Sequence, residues 1–212
     1  MKLVILGGSG FVSSAIIEQA LKRNFSVIAV ARDLSKLDKF SNKIEKLKAD
    51  YFDLSSITSK LEQADVVIST VGPPENRKSS LTADDFANAM KELIFLIENS
   101  STKRFIHIAS AGTSYEGEYI NFSRKVMRKL VSLIAPLVIP AKEQELQVLM
   151  NSSLKWTSIR PPLITRAKKG QLIADRHSLK GFTVDVNQLA NFILDCAEKD
   201  LWIRQTPFVM TK

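Results

Sequence analysis

The sequence predicts an α/β fold, a doubly wound parallel sheet with helices on both faces. Short apolar runs alternate along the 212 residues with segments of helical periodicity. Most of these runs are continuous rather than interrupted by polar residues, which is typical of parallel strands that are buried on both faces. Because crossovers between parallel strands are right-handed, this alternation winds into a sheet covered on two sides.

The elements follow one another in βαβ order. Residues 3–6, LVIL, form the first run, and a helix near 11–23 leads back to a second run at 27–30. The later runs lie at 44–47, 66–69, 105–108, 156–159 and 208–210, and the later helices are expected near 82–98, 118–134, 141–151 and 186–198. Residues 163–185 are irregular and rich in charge, so they are expected to form a small C-terminal cap.

The chain shows no sign of division into several domains. It contains no internal repeat, no low-complexity tract and no linker-like shift in composition. Hydrophobic residues make up 45% and charged residues 25%, which is the range of ordinary globular proteins. Residues 1–212 are therefore expected to form one domain, with 163–185 as a small substrate cap.

Cysteine usage and apolar segments bear on location. Cys196 is the single cysteine, so no intrachain disulfide can form, and the run 3–6 is too short for a signal peptide. A cytoplasmic protein is therefore expected. The stretch 126–139 is interrupted by Arg128, Lys129 and Pro136, so it falls short of the about 20 apolar residues that a membrane span requires.

The net charge of +8 includes a modest basic cluster of Arg166, Lys168, Lys169, Arg176 and Lys180. Such a cluster fits either a solvated surface or the attraction of anionic ligands such as phosphates. No nucleic-acid recognition motif accompanies it, so a nucleic-acid partner is not expected.

A glycine-rich turn, GGSGFVS, directly follows the first run at residues 7–13 and opens the first helix. Gly8, Gly10 and Ser13 fill the frame G-x-G-x-x-G/A, in which the glycines permit a tight turn and a close approach of the backbone to a pyrophosphate. Phosphates then lie at the helix N-terminus. Ser13 departs from the frame and is expected to push the helix outward slightly. The predicted contacts of a dinucleotide on this Rossmann-type turn are Gly7, Gly8, Ser9, Gly10, Phe11 and Val12.

The second run ends in Ala31-Arg32-Asp33, where the adenosine ribose of such a dinucleotide should lie. An acidic residue there favours NAD(H), whereas an arginine supplies donors to a 2′-phosphate. Arg32 comes first, and Asp33 is a candidate N-cap for the residues that follow. The sequence thus favours NADP(H) over NAD(H), with an exposed strand-end charge as the alternative for Arg32.

Several segments together resemble one protein family. They are the glycine turn and residues 30–33, 49–54, 69–72, 108–111 and 154–162. On these residues the chain is similar to atypical short-chain dehydrogenases/reductases of the NAD(P)H-binding, NmrA-like group, near the biliverdin-reductase-B-like flavin reductases. The resemblance covers nearly the whole chain, and it implies an NADPH-dependent oxidoreductase that acts on a small-molecule substrate.

The resemblance also implies roles for further residues. Asp53 and Leu54 would lie beside the adenine, although Asp53 could instead cap a helix. The turn after the fourth strand would line the ribose and pyrophosphate path, and two prolines after the sixth would wall the nicotinamide, unless they merely end that strand. These residues are Thr70, Val71 and Gly72, and Pro161 and Pro162.

The Tyr-x-x-x-Lys pair that many members of the wider superfamily use is missing. In that pair the phenol exchanges a proton while the ammonium lowers its pKa and holds the nicotinamide ribose. By family comparison Lys142 stands in the lysine position, and Val138 precedes it by four residues. The candidates for catalysis and for cofactor binding are Lys142 and Ser110. Ser110 lies at the end of the fifth strand. A solvated lysine and a strand-end hydrogen bond are their alternatives.

Two functions stay open at this point. Reduction of a flavin or quinone needs no dedicated proton donor, because water can supply the proton to a conjugated acceptor. A non-catalytic NADP(H) sensor would equally lack the tyrosine. His107 and His177 have no ligand-like spacing with Cys196, so no metal site is expected. The apolar stretch 130–139 could be core, pocket or partner surface, and the oligomeric state is open.

Overall fold

The computed structural model describes residues 1–74, 80–166 and 170–212. Its central element is a six-stranded sheet in the order β3-β2-β1-β4-β5-β6, in which every neighbouring pair is parallel. The strands are β1 Lys2–Leu6, β2 Ser26–Ala31, β3 Glu45–Lys48, β4 Val66–Ser69, β5 Arg104–Ile108 and β6 Lys155–Ile159. The predicted doubly wound parallel sheet is confirmed.

Helices cover both faces of the sheet. α1 Phe11–Lys22 and α6 Val186–Glu198 pack together on one face, and α3 Ala83–Glu98 and α5 Val138–Met150 pack together on the other. The short α2 Thr58–Leu61 lies beside α3, and α4 Phe122–Ile134 packs against α5. Each face of the sheet has its own apolar core, because β1, β2 and β4 send alternate side chains to opposite sides.

Helix boundaries follow local capping. α3 begins after Thr82, whose side chain accepts from the Asp85 amide while the Asp85 carboxylate accepts in return from the Thr82 amide, which is a capping box. α4 begins four residues later than predicted, because the Asn121 side chain accepts from the Arg124 amide and fixes the N-cap there. Two 3₁₀ segments follow β2 and β3, at Ser35–Lys43, which is interrupted by a kink at Ser41, and at Ser55–Ile57. The sequence indicated helices there only through the capping alternatives for Asp33 and Asp53.

The segment after β6 is more regular than predicted. It contains β7 Leu163–Thr165, β8 Leu172–Asp175 and β9 Thr183–Asp185. β7 pairs in parallel with β9, and β8 pairs antiparallel with β10 Phe208–Thr211. The last predicted run thus lies outside the main sheet. Its backbone groups pair with the charged segment, which is why that segment forms strands despite its composition. Lys168 and Lys169 of the predicted basic cluster lie outside the described residues.

Candidate functional site

A cavity of about 560 Å³ opens at the carboxyl ends of β1, β2 and β4. The strand order reverses at β1, because β2 and β3 lie on one side of it and β4 to β6 on the other. Open α/β sheets bind ligands at such a reversal. The volume of the cavity is in the range of small-molecule and cofactor sites. The predicted cofactor contacts that line it are Gly7, Ser9, Gly10, Arg32, Leu54, Thr70, Val71 and Gly72.

Each glycine of the turn is required for a different structural reason. Gly7 has φ +75°, a conformation that side chains rarely adopt. A Cβ on Gly8 would lie 2.9 Å from the Cβ of Ala29, so Gly8 lets the turn pack on β2 and does not itself line the cavity. Gly10 lines the cavity and is the N-cap of α1. The amide ends of the first helical turn therefore face this end of the cavity.

Ser13 holds the turn together. It is fully buried, its Oγ donates to the Gly7 carbonyl at 2.6 Å, and it lies 2.5 Å from the Thr70 Oγ1. Thr70 in turn donates to the Leu6 carbonyl at 3.0 Å. The hydroxyl at the off-pattern position thus links the turn to the end of β4, a role that the sequence frame did not suggest.

Phe11 and Val12 lie at the start of α1 rather than in the cavity wall. Val12 packs against the core on the α1 face. Phe11 is 42% exposed, and the guanidinium of Arg166 lies 4.9 Å from its ring centre. Since Arg166 directly follows β7, this contact brings the predicted cap beside the glycine turn.

Two cations stand at the outer end of the cavity. Arg32 and Lys36 are both exposed and line it. The Asp33 carboxylate accepts from the amide and hydroxyl of Ser35 at 3.1 and 2.7 Å, and these bonds lower its pKa. Asp33 therefore caps the following turn, as its position suggested. Sequence reasoning missed Lys36, which reaches the cavity from the 3₁₀ segment that begins at Ser35.

Aromatic side chains that were not among the predicted contacts form one wall. Tyr51, Phe52 and Phe86 line the cavity with Leu54, and the Phe52 and Phe86 rings meet edge to face at 5.1 Å. Asp53 is not in the lining. Its carboxylate accepts from the amide and hydroxyl of the residue that opens the second 3₁₀ helix, which is the capping alternative. An apolar wall of aromatic side chains suits a heteroaromatic ring.

Lys142 is buried within a polar cluster beneath the cavity. Its Nζ donates to the Val71 carbonyl at 2.5 Å and lies 2.7 Å from Glu145 Oε2 and 3.3 Å from His107 Nε2. The Tyr51 hydroxyl donates to the other Glu145 oxygen at 2.9 Å. The ammonium thus supports the cavity wall from behind, through the Val71 carbonyl, and it is not a solvated lysine.

Burial and neighbouring charges have opposite effects on the pKa of the carboxylate in this cluster. Burial by itself would raise the pKa of the Glu145 carboxyl, but the Lys142 ammonium and the hydrogen bond with His107 outweigh it and lower the pKa to about 2. Burial and the same ammonium lower the pKa of His107. Burial and the Glu145 charge raise the pKa of Tyr51 well above its usual value. An ionised carboxylate and a neutral phenol follow at neutral pH.

Ser110, Pro161 and Pro162 follow β5 and β6 at the same edge of the sheet, outside the lining of the cavity. The Ser110 Oγ accepts from the Gly112 amide at 3.1 Å, and the Ala111 amide donates to the Pro161 carbonyl at 2.8 Å. The two strand ends are thereby tied together. Val138 is the first residue of α5, and its side chain cannot exchange a proton.

The described residues contain no cluster of three or more His, Cys, Asp or Glu side chains that could hold a metal ion. In the same described part of the chain, no helix is both long and apolar enough to cross a membrane.

Comparison with known proteins supplies the family. The model of the family described as NAD(P)H-binding matches residues 7–200, which include the glycine turn, the cavity and the buried cluster. The chain belongs to the NAD(P)H-binding family. This confirms the resemblance at the level of the family, and it assigns a nicotinamide dinucleotide to the chain as its cofactor.

Individual relatives of this NAD(P)H-binding protein match shorter segments. An isoflavone reductase-like protein from Olea europaea is 29% identical over 113 residues, 49% of this chain and 33% of that protein. Eugenol synthase 2 from Clarkia breweri is 34% identical over 80 residues, 34% of this chain and 26% of that protein. The match thus spans a third or less of these relatives' own length.

Solved structures agree over the whole chain. A Lactobacillus casei protein has a TM-score of 0.81 and 23% identity, with 100% of this chain and 99% of that chain covered. An anaerobilin reductase from Escherichia coli O157:H7 has a TM-score of 0.79 and 18% identity, with 100% and 97% covered. At these identities the likeness shows that the family member shares their fold.

Proposed function

We propose that this chain is an NADPH-dependent oxidoreductase that reduces a small conjugated acceptor of the flavin or quinone type. The observation that carries the proposal is the cavity itself. It joins a glycine cradle at the start of α1 to a cationic end at Arg32 and Lys36, at the position where the fold binds dinucleotides. We extend the proposal to residues 1–212 as one domain of the NmrA-like group, with 163–185 as its substrate cap.

The preference for the phosphorylated cofactor rests on charge at the outer end of the cavity. Arg32 and Lys36 supply cations, and Asp33, which also lines the cavity with Asp50, has its carboxylate bound to the amide and hydroxyl of Ser35. A ribose with free hydroxyls is best held by a carboxylate acceptor, and a 2′-phosphate by cationic donors. Leu54 and the aromatic wall would hold the adenine, and Thr70 to Gly72 would border the pyrophosphate path.

The proposed reaction requires little proton transfer by residues of the chain. A bound NADPH would supply the hydride that reduces the acceptor. Val138 offers no proton, and the Lys142 ammonium is held by Glu145 and the Val71 carbonyl. We therefore assign Lys142 to positioning the cavity wall, Pro161 and Pro162 to the wall of the nicotinamide, and Ser110 to the side where the nicotinamide meets the substrate. A conjugated acceptor suits this site because water can protonate the reduced product.

The buried state of Lys142 also favours a second candidate, a non-catalytic NADP(H)-binding sensor or interaction protein. The ammonium is held by Glu145 and the Val71 carbonyl, Val138 stands four residues before Lys142, and the Tyr51 hydroxyl is bound to Glu145, so the described residues of the site offer no evident proton donor. Such a protein would bind NADPH without oxidising it. The cytoplasmic location stays a prediction from the sequence.

One experiment tests both candidates. The purified chain is titrated with NADPH and with NADH, and flavin and quinone acceptors are then added while the nicotinamide absorbance is followed. We expect tighter binding of NADPH than of NADH, and oxidation of NADPH that depends on the acceptor. Absence of binding to either cofactor would overturn the proposal. Tight binding without oxidation over a varied panel of acceptors would establish the sensor instead.

A further inference from the structure

α4 carries an exposed apolar stripe. Phe122, Val126, Leu130 and Ile134 are spaced four residues apart, so they lie along one side of the helix, and they are 81%, 44%, 56% and 74% exposed. Leu133, beside them, is 60% exposed. Part of the apolar stretch at 130–139 is therefore neither core nor cavity wall. Ile139, in α5, is buried.

The opposite side of α4 is fixed to the protein by arginines. The Arg124 Nε donates to the Ala111 carbonyl at 3.0 Å, and its Nη2 lies 3.0 Å from the Glu118 carboxylate. Arg128 lies 2.6 Å from the Glu143 carboxylate. Charge-assisted bonds of this kind are directional. The helix cannot roll to bury its apolar stripe without breaking them, so the stripe is presented outward.

Charge on the exposed side indicates the kind of partner. Lys125 and Lys129 are exposed and flank the apolar stripe on one side, and the sequence of α4, FSRKVMRKLVSLI, contains no Asp or Glu. The whole chain carries a net charge of +8. A second copy docked through α4 would bring these lysines together with no carboxylate from either helix. An anionic surface with an apolar layer beneath it complements both features.

We propose that α4 docks the protein onto anionic phospholipid membranes. The apolar stripe lies at the boundary between headgroups and acyl chains, and Lys125 and Lys129 contact lipid phosphates. The helix lies in the plane of the surface, as amphipathic helices with basic residues do. This docking is independent of the proposed reductase activity.

The full chain is tested by co-sedimentation with vesicles. We expect binding to vesicles of phosphatidylglycerol and phosphatidylcholine, weaker binding to phosphatidylcholine alone, and loss of the difference at high salt because the attraction of exposed charges is screened. Equal amounts of protein sedimenting with both vesicles, or no sedimentation with either, would overturn the proposal.

Two pairs of variants separate the apolar and the charged contributions. Leu130→Ser with Ile134→Ser should weaken vesicle binding by about tenfold or more, whereas Phe95→Ser, which changes an exposed apolar residue on α3, should leave it unchanged. Lys125→Gln with Lys129→Gln should weaken binding to the anionic vesicles by about fivefold for each lysine. The matched change of Lys22 and Lys39 to Gln should have little effect.

Two further measurements keep the result interpretable. NADPH titration checks that each α4 variant is folded, because α4 lies outside the cavity lining. Light scattering after gel filtration measures the oligomeric state. If Leu130→Ser with Ile134→Ser converts a dimer to a monomer while vesicle binding is unchanged, the stripe is an interface between copies and membrane docking is refuted.

Discussion

A lysine four residues after Val138 is, in the sequence, indistinguishable from a solvated charge near the start of a helix. The structure buries Lys142 because three polar partners converge on it: Glu145 from the same helix, His107 from β5 and the Val71 carbonyl from the loop after β4. Tyr51, which shares Glu145 with it, is 94 residues away from that carboxylate along the chain. The family resemblance, rather than residue type or spacing, predicted that Lys142 belongs near the site. The ion pair with Glu145 is an i,i+3 pair within α5, so spacing alone could have suggested it. The contacts with the Val71 carbonyl and His107 could not be predicted, since these partners reach Lys142 only when β4, β5 and α5 pack together.

The buried carboxylate at the centre of this cluster should be important for stability. Glu145→Gln removes the charge that balances the Lys142 ammonium, and breaking one partner of a buried pair costs about 3–5 kcal/mol. Urea unfolding measures the loss. Glu18→Gln is the matched control, because Glu18 pairs with Lys39 on the surface, where such pairs contribute at most about 1 kcal/mol. Similar losses in the two variants would contradict the cluster's role.

The loss of the Glu145 carboxylate should also change how the stability of the variant depends on pH. The folded pKa of Glu145 lies near 2, below its ordinary value of 4.5, so its stabilising contribution is complete above the ordinary value and is lost as the pH falls toward the folded one. The lowered pKa of His107 also makes the free energy of unfolding fall as the pH falls, and this loss begins below the usual histidine pKa of 6.5. Glu145→Gln should therefore flatten the acid side of the stability profile. An unchanged slope would contradict an ionised Glu145.

Arg32 is the residue on which cofactor preference depends. Its guanidinium is exposed at the cavity with no carboxylate partner among the described residues, so it is available to a 2′-phosphate. Arg32→Ala should raise the dissociation constant of NADPH by about tenfold or more, the value of a charge-assisted bond, with a smaller effect on NADH. Lys39→Ala, an exposed lysine outside the cavity lining, is the control. Equal losses for both cofactors would refute the assignment.

At the scale of elements, the inner strands of the sheet were predictable because most of their side chains are buried and must be apolar, whereas the edge strand β3, EKLK, is half-buried or exposed. β1 and β4 are such runs, and their predicted bounds agree with the structure to within one residue. The strands β7 to β9 were not predictable in the same way. Their side chains are mostly half-buried or exposed, so their backbone pairing with β10 and with each other leaves no apolar pattern in the sequence.

The turn between β1 and α1 offers a test of an element. The sequence frame has glycine or alanine where Ser13 stands, which suggests that Ser13→Gly would improve the turn. The structure predicts the opposite, because the Ser13 hydroxyl bonds the Gly7 carbonyl and contacts Thr70. Ser13→Ala should lower the free energy of unfolding by about 1 kcal/mol, and Ser13→Gly by slightly more, since glycine also weakens a helix.

Cofactor titration of the same variants completes that test. Both should bind NADPH more weakly, because a looser turn no longer holds the amides of the helix start in place. Ser14→Ala, at the next position on α1, is the matched control. Tighter binding by Ser13→Gly than by the wild-type chain would show that the hydroxyl hinders the turn, as the sequence frame suggests.

At the scale of the whole molecule, the cavity joins elements that are distant in the chain. Its lining comes from the ends of β1, β2 and β4, from the first 3₁₀ segment after β2, from the turn at 49–54 that follows β3, and from the start of α3. These lining residues are close together only when the chain is folded. A ligand that fills the cavity therefore binds the folded state and not the unfolded one. Binding must then stabilise the entire fold rather than one loop.

Thermal unfolding measures this coupling. NADPH at about a hundred times its dissociation constant should add about 2.7 kcal/mol to the free energy of unfolding. For a chain of this size each kcal/mol raises Tm by about 2–4 °C, so a rise of roughly 5–10 °C is expected. Arg32→Ala at the same NADPH concentration should show a smaller rise, because its cavity is intact but its affinity is lower. A larger rise with NADH would contradict the preference, and no rise with either nucleotide would mean that the cavity does not bind the cofactor.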